Sequence, residues 1–147
     1  MTFTTVKAHT IQYVNLKMHR YDGGSHPGTI TCELYLADGD SKPTGSVLAT
    51  GTTNGETLGT SPEWRQINFA VPYELAVAKY VLVLKSQQDD PAHPTYWRRD
   101  DAGSYATGGM VYTTDQGVSW DTQFTVDFMF EEWGLSPSAT SRVIVIP

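Results

Sequence analysis

The sequence predicts an all-β fold, an antiparallel β-sandwich of jelly-roll type, and three observations lead there. Apolar and polar residues alternate over several runs with the period of two that turns one face of a strand inward. Clusters rich in Gly, Pro, Asp and Asn separate these runs at short intervals. Only "PYELAVAKY" could be helical, and Pro72 followed so soon by another strand allows it one turn at most. Many short strands joined by such loops are the signature of a sandwich or jelly roll.

The elements follow in order. "YVNLKMHRY" sets Val14, Leu16 and Met18 on one face and Asn15, Lys17 and His19 on the other, a half-buried strand. After the turn "DGGSHPG", "TITCELYL" repeats the scheme with Ile30, Cys32, Leu34 and Leu36 inward. "RQINFAV" is a further strand, and "KYVLVLKS", apolar on both parities, predicts a central strand covered on both faces. "FTVDFMFEEW" predicts Phe124, Val126, Phe128 and Phe130 inward against Thr125, Asp127, Met129 and Glu131. The loops between are "ADGDSKPTG", "TNGETLGTSPE", "QQDDPAHP" and "DDAGSYATGG". The domain is expected over residues 1–134. Residues 135–147 read as a linker, "LSPSATS", followed by a β-branched strand, "RVIVIP". There Val143, Ile144, Val145 and Ile146 are apolar on both parities and need the edge of a sheet, in this chain or in a neighbouring copy. No repeat of 20 to 50 residues is present, which counts against a propeller or solenoid.

Composition narrows the function classes. Sixteen acidic against ten basic residues give a net charge of −6, which disfavours nucleic acid as a partner. No apolar run approaches the roughly 18–20 residues of a membrane-spanning helix, and "MTFTTVKAHT" lacks the features of a signal peptide. Cys32 is the single cysteine, so no intrachain disulfide can form, and its position in a strand predicts a buried small hydrophobe.

The segment "TTDQGVSW" places Thr113, Asp115, Gly117, Ser119 and Trp120 at fixed offsets and resembles the Asp-box, a hairpin motif of sialidase propellers and other β-proteins. Its chemistry is local. The Asp115 carboxylate can accept hydrogen bonds from turn amides, Gly117 can supply a positive φ, and Trp120 can pack beneath the turn. A wider resemblance covers about residues 10 to 134. The succession "VNLKMHRY", "PGTITCELYLADGDSKPTGSVLATGT", "EWRQINFA", "KYVLVLKS", "YWRRD", "GGMVYTTDQGVSW" and "DFMFEEWG" is similar to a family of jelly-roll modules. These occur in choice-of-anchor surface proteins and in phage or viral structural proteins. The resemblance implies a non-catalytic, carbohydrate-binding-module-like sandwich.

The search for chemistry agrees with that expectation. His9, His19, His26 and His93 show no metal-ligand spacing and read as strand or turn residues, and no nucleophile elbow is present. The carboxylate pairs Asp38/Asp40, Asp89/Asp90, Asp100/Asp101 and Glu131/Glu132 are adjacent in sequence, whereas a glycosidase needs two carboxyls facing across a cleft. No enzyme activity is therefore expected. Asp38 and Asp40 in "ADGDS" are candidate ligands for a structural calcium, set against a plain solvated turn. The strongest cluster is "TYWRRDDAGSYATGGMVY", where aromatic rings suited to the C–H face of a sugar alternate with groups that bond hydroxyls. With Trp97 inward, Tyr96, Arg98, Asp100 and Tyr105 form the candidate ligand-binding rim. The expected function is a glycan-binding or adhesion module in a virion or extracellular surface assembly. The competing expectation is a purely structural subunit, a decoration, fibre or filament protein held by inter-subunit strand pairing. Partners are a glycan or neighbouring subunits, with a homo-oligomer or larger assembly expected.

Overall fold

The computed structural model describes residues 1–21, 26–88, 93–103 and 105–136, and these are nearly all β. In chain order the strands are β1 (Thr2–Thr4), β2 (His9–Arg20), β3 (Thr29–Ala37), β4 (Pro43–Asn54), β5 (Glu63–Leu75) and β6 (Lys79–Ser86). They are followed by β7 (Thr95–Trp97), β8 (Arg99–Asp100), β9 (Met110–Tyr112), β10 (Asp121–Gln123), β11 (Asp127–Phe128) and β12 (Phe130–Leu135). The "RVIVIP" tail, the Asp89/Asp90 pair and most of "DGGSHPG" lie outside the described residues.

One antiparallel series runs β1-β6-β3-β4-β5-β2-β12, with β7 alongside β2 beyond the end of β12. The series curls until its two ends meet: Phe3 of β1 and Phe130 of β12 have ring centroids 5.6 Å apart. The halves β1-β6-β3-β4 and β5-β2-β12 thus face each other in a sandwich-like arrangement over one core. That core holds Ile11, Val14, Leu16 and Met18 of β2, Ile30, Cys32 and Leu34 of β3, Ile67 and Phe69 of β5, and Tyr80 and Leu82 of β6. The halves remain joined at a single paired position, Gly51 with Phe69, where β4 passes so close to β5 that a Cβ on Gly51 would stand 2.4 Å from the Asn68 carbonyl oxygen. Glycine is required by that approach.

Strand β6 is central and buried on both parities, as its composition predicts. Tyr80 and Leu82 enter the main core, while Val81 and Val83 enter a second cluster with Val111, Tyr35 and Trp120. The β9–β10 hairpin therefore covers the β6–β3 part of the outer face of the first half. Cys32 is fully buried, and burial pushes its thiol up to about 12.

Three expectations change. Leu36 is 41% exposed, because the β3–β4 register shifts between Leu34 and Leu36 and breaks the alternation. "PYEL" is not helical: Pro72 to Leu75 continue β5, with a register irregularity opposite Ile11 and Tyr13 that accommodates a residue lacking an N–H. "FTVDFMFEEW" is not one strand. Phe124 is 56% exposed in a turn, and Asp127, expected outward, is 3% exposed. The chain changes partner here: Val126 accepts from the Met110 N–H, Asp127 and Phe128 pair with β8, and from Phe130 the chain pairs with β2. Each change of partner resets which side chains face inward.

Candidate functional site

Among the described residues the outer face of the second half of the sheet is uncovered, and its residues follow from the alternation of β2. With Val14, Leu16 and Met18 buried, Tyr13, Asn15, Lys17 and His19 must point out. Register then builds rows across the sheet. Tyr13 lies between Trp133 of β12 and Asn68 of β5, Asn15 between Glu131 and Gln66, and Lys17 beside Trp64. His19 pairs with Tyr96 of β7. Trp133 is 49% exposed and Trp64 46%, large apolar areas to leave on a wet strand face.

Local contacts hold these groups. The Tyr13 and Trp133 rings stack at 6.0 Å with planes 11° apart, and the Lys17 ammonium stands 5.6 Å from the centre of the Trp64 ring. One Glu131 oxygen accepts from Asn15 Nδ2 at 2.9 Å and from Trp133 Nε1 at 3.1 Å. These two donors, Asn15 first, hold the Glu131 carboxyl below its usual range. Gln66 Nε2 donates to Asn68 Oδ1 at 2.8 Å. Lys17 lies four residues beyond Tyr13, so at about 3.3 Å per residue the two tryptophan rows stand roughly 13 Å apart, with the Glu131 carboxylate and the Asn15 and Gln66 amides between them and the Asn68 amide in the Trp133 row.

The four rim residues predicted from sequence do not form one rim. Tyr96, 43% exposed, stacks on His19 at 5.1 Å and extends the outer face. Arg98 is exposed beside it, its main-chain N–H donating to the Lys17 carbonyl. Asp100 and Tyr105 instead line a groove of about 210 Å³ with Trp64, Asp127, Phe128, Met129 and Phe130. Asp100 Oδ1 accepts from the Ala102 N–H. The Tyr105 N–H donates to Asp127 Oδ2 at 2.8 Å, and its ring meets Phe130 edge-on at 5.9 Å. Trp97 points inward as expected, stacked on Phe128 at 4.7 Å, with its Nε1 donating to the Met129 carbonyl at 2.9 Å.

The other candidates are local. Asp38 Oδ1 accepts from the Asp40 and Lys42 N–H groups at 2.9 and 2.8 Å, closing its own turn. No group of three or more His, Cys, Asp or Glu able to hold a metal occurs among the described residues. The Asp115 carboxylate accepts from the Ser119 N–H and hydroxyl and from the Thr113 hydroxyl. Gln116 and Gly117 both take positive φ, and Trp120 packs into the second cluster.

Sequence reasoning passed over Trp64, Trp133, Tyr13 and Asp127. The first two carried a usable signal: each shares the polar parity of an alternating strand, where a tryptophan needs a reason. No family model, no curated protein and no solved structure matches the chain. Among the described residues, no helix is long and apolar enough to cross a membrane.

Proposed function

We propose that the protein is a non-catalytic glycan-binding module, displayed on a virion or extracellular surface assembly, and that its ligand lies across the outer face of β12, β2 and β5. The observation that carries this reading is the pair of half-exposed tryptophans, Trp133 and Trp64, on one rigid face with Glu131, Asn15 and Gln66 between them and Asn68 in the Trp133 row. Tryptophan offers an apolar plate to the C–H face of a sugar ring, and the carboxylate and amides offer acceptors and donors to its hydroxyls. The ionised Glu131 at the centre favours neutral sugars, whose hydroxyls donate to it, over acidic ones. On the outer face of the other half the β9–β10 hairpin covers Val81, Val83 and Tyr35, whereas no hairpin of the described residues packs on the tryptophan face.

The test is a glycan array followed by calorimetry. Trp133→Ala and Trp64→Ala are each expected to weaken binding by about 1–2 kcal/mol, as loss of an aromatic anchor does. Binding to no glycan, or binding that both variants leave intact, refutes the reading.

The second reading, a structural subunit, draws on the outer edge of β12, which no strand pairs among the described residues and where Leu135 is 60% exposed. Deleting residues 136–147 and measuring mass by light scattering separates the two. Loss of an oligomer with glycan binding preserved assigns the tail to assembly and the face to recognition.

A further inference from the structure

Asp127 and Asp100 are direct partners across the β8–β11 ladder, so their side chains leave the same face, with Cβ atoms about 4.5–5.5 Å apart. Both line the groove beside Tyr105, Phe128 and Phe130. Like charges placed this way repel, and here one of them is buried. Asp127 is 3% exposed, and while its Oδ2 accepts from the Tyr105 N–H, its Oδ1 is enclosed with no donor among the described residues. Among the described residues, no lysine or arginine lines the groove. Arg99, next in the chain, is turned to Asp101 at 2.7 Å. A buried carboxylate oxygen with no donor and no counter-charge is an arrangement that a protein keeps at a cost unless something occupies it.

We propose that Asp127 and Asp100 hold a divalent cation in this groove, calcium foremost. The donor set is all oxygen, with no imidazole or thiolate lining the groove among the described residues, which selects a hard cation over zinc or copper. Two carboxylates match a double positive charge, and carboxylate oxygens are ordinary calcium ligands. Calcium tolerates the irregular geometry of a two-residue ladder, whereas magnesium demands a near-octahedral shell. Water and main-chain oxygens complete the coordination. The ion would clamp β8 to β11 and so order the wall running from Arg98 to Tyr105. This inference stands on different residues from the glycan-binding face, Trp64 excepted, and does not depend on it.

The test uses the full chain, stripped of metal, with CaCl2 alone as the probe. Calorimetry is expected to give one site of about 10⁻⁴ M affinity, and roughly 10 mM Ca²⁺ to raise Tm by about 5–10 °C. Asp127→Asn, which keeps an acceptor for the Tyr105 N–H, is expected to lose this response. Asp100→Asn is expected to weaken it at least tenfold, and Asp38→Asn to leave it unchanged. Terbium provides a readout on the wild type that needs no variant: Trp64 beside the ion should sensitise its emission, and Ca²⁺ should chase it. Absence of heat, Tm shift and sensitised emission in the wild type overturns the proposal, as does wild-type affinity in either Asp127→Asn or Asp100→Asn.

Discussion

Trp97 is the side chain on which the groove wall rests, and its replacement separates two contributions that the structure allows to be estimated. Its indole stacks on Phe128, packs against the main core, and donates from Nε1 to the Met129 carbonyl. Trp97→Phe keeps most of the ring and removes the donor. The Met129 carbonyl still accepts from the Lys17 N–H, so no buried acceptor is orphaned and the loss is that of one ordinary hydrogen bond and some stacking area, about 1–2 kcal/mol. Trp97→Ala removes the ring as well. A fully buried aromatic would cost about 3–5 kcal/mol, and because Trp97 is half-buried the expectation falls to about 2–4 kcal/mol. At about 2–4 °C per kcal/mol for a chain of this size, Tm should fall by roughly 3–6 °C for Phe and 6–12 °C for Ala. Calorimetry together with urea unfolding followed by circular dichroism measures both. Equal losses for Phe and Ala would show that the Nε1 bond dominates and that the stacking argument is wrong. A neutral Trp97→Phe would show that the bond to Met129 does not hold the wall.

Burial raises the Glu132 carboxyl above its ordinary 4.5, and His9, with Nε2 3.5 Å away, offsets only part of this. Because the folded value is the higher one, the stability tied to the bound proton is fully present below about pH 4.5 and lost as pH rises through the folded value. Glu132→Gln should therefore be more stable than wild type at pH 7 and equal to it near pH 4 in urea titrations; a pH-independent difference would point to packing. Asp115 is held down to about 2 from 3.8 by the Ser119 hydroxyl and N–H and then the Thr113 hydroxyl, so its contribution is complete above 3.8 and lost as pH falls through about 2. Asp115→Ala should accelerate amide exchange selectively over residues 113–119 at neutral pH without changing ligand or metal binding. Gly51→Ala should cost about 1–3 kcal/mol by forcing β4 from the Asn68 carbonyl; unchanged stability in chemical unfolding would mean that the two halves do not depend on that crossing.

What was legible in the sequence was whatever a period of two controls. Val14, Leu16, Met18, Ile30, Cys32, Leu34, Ile67 and Phe69 follow from alternation alone and are all buried. The doubly apolar β6 revealed itself as central by the same logic. Alternation failed wherever a strand changed partners, because register is a property of a pair and no single strand states its partner. Asp127 shows the consequence. Its parity with Thr125 and Glu131 reads as solvent-facing, while pairing with Asp100 and bonding to Tyr105 bury it. The carboxylate pairs visible in the sequence are chain neighbours, whereas the pair that does face is 27 residues apart in the chain. Likewise the rim expected from "TYWRRDDAGSY" joined residues that share a loop, whereas the rows of the outer face join residues from β12, β2 and β5 that share only a register.

The outer face and the groove differ in how firmly the fold holds them, and this bears on what each can do. Tyr13, Asn15 and Lys17 alternate with three fully buried residues, and their strand is paired on both sides through this segment. Their spacing is consequently set by the ladder and the core together, and a ligand laid across them need not spend binding energy on ordering the backbone beneath it. Their side chains are further tied, Tyr13 by stacking on Trp133 and Asn15 by its bond to Glu131. The described residues between Arg98 and Tyr105 are held by shorter pieces of ladder and by turns, with Arg98 donating to the Lys17 carbonyl and accepting from the Met129 N–H. Strands β8 and β11 are two residues each, and the bonds of Trp97 to Met129 and of Tyr105 to Asp127 carry much of their attachment. A short ladder bearing two opposed carboxylates is weak by itself and gains most from an ion that both can bind. The same asymmetry suits the preorganised face to the extended ligand proposed for it, and the short β8–β11 ladder to the proposed cation.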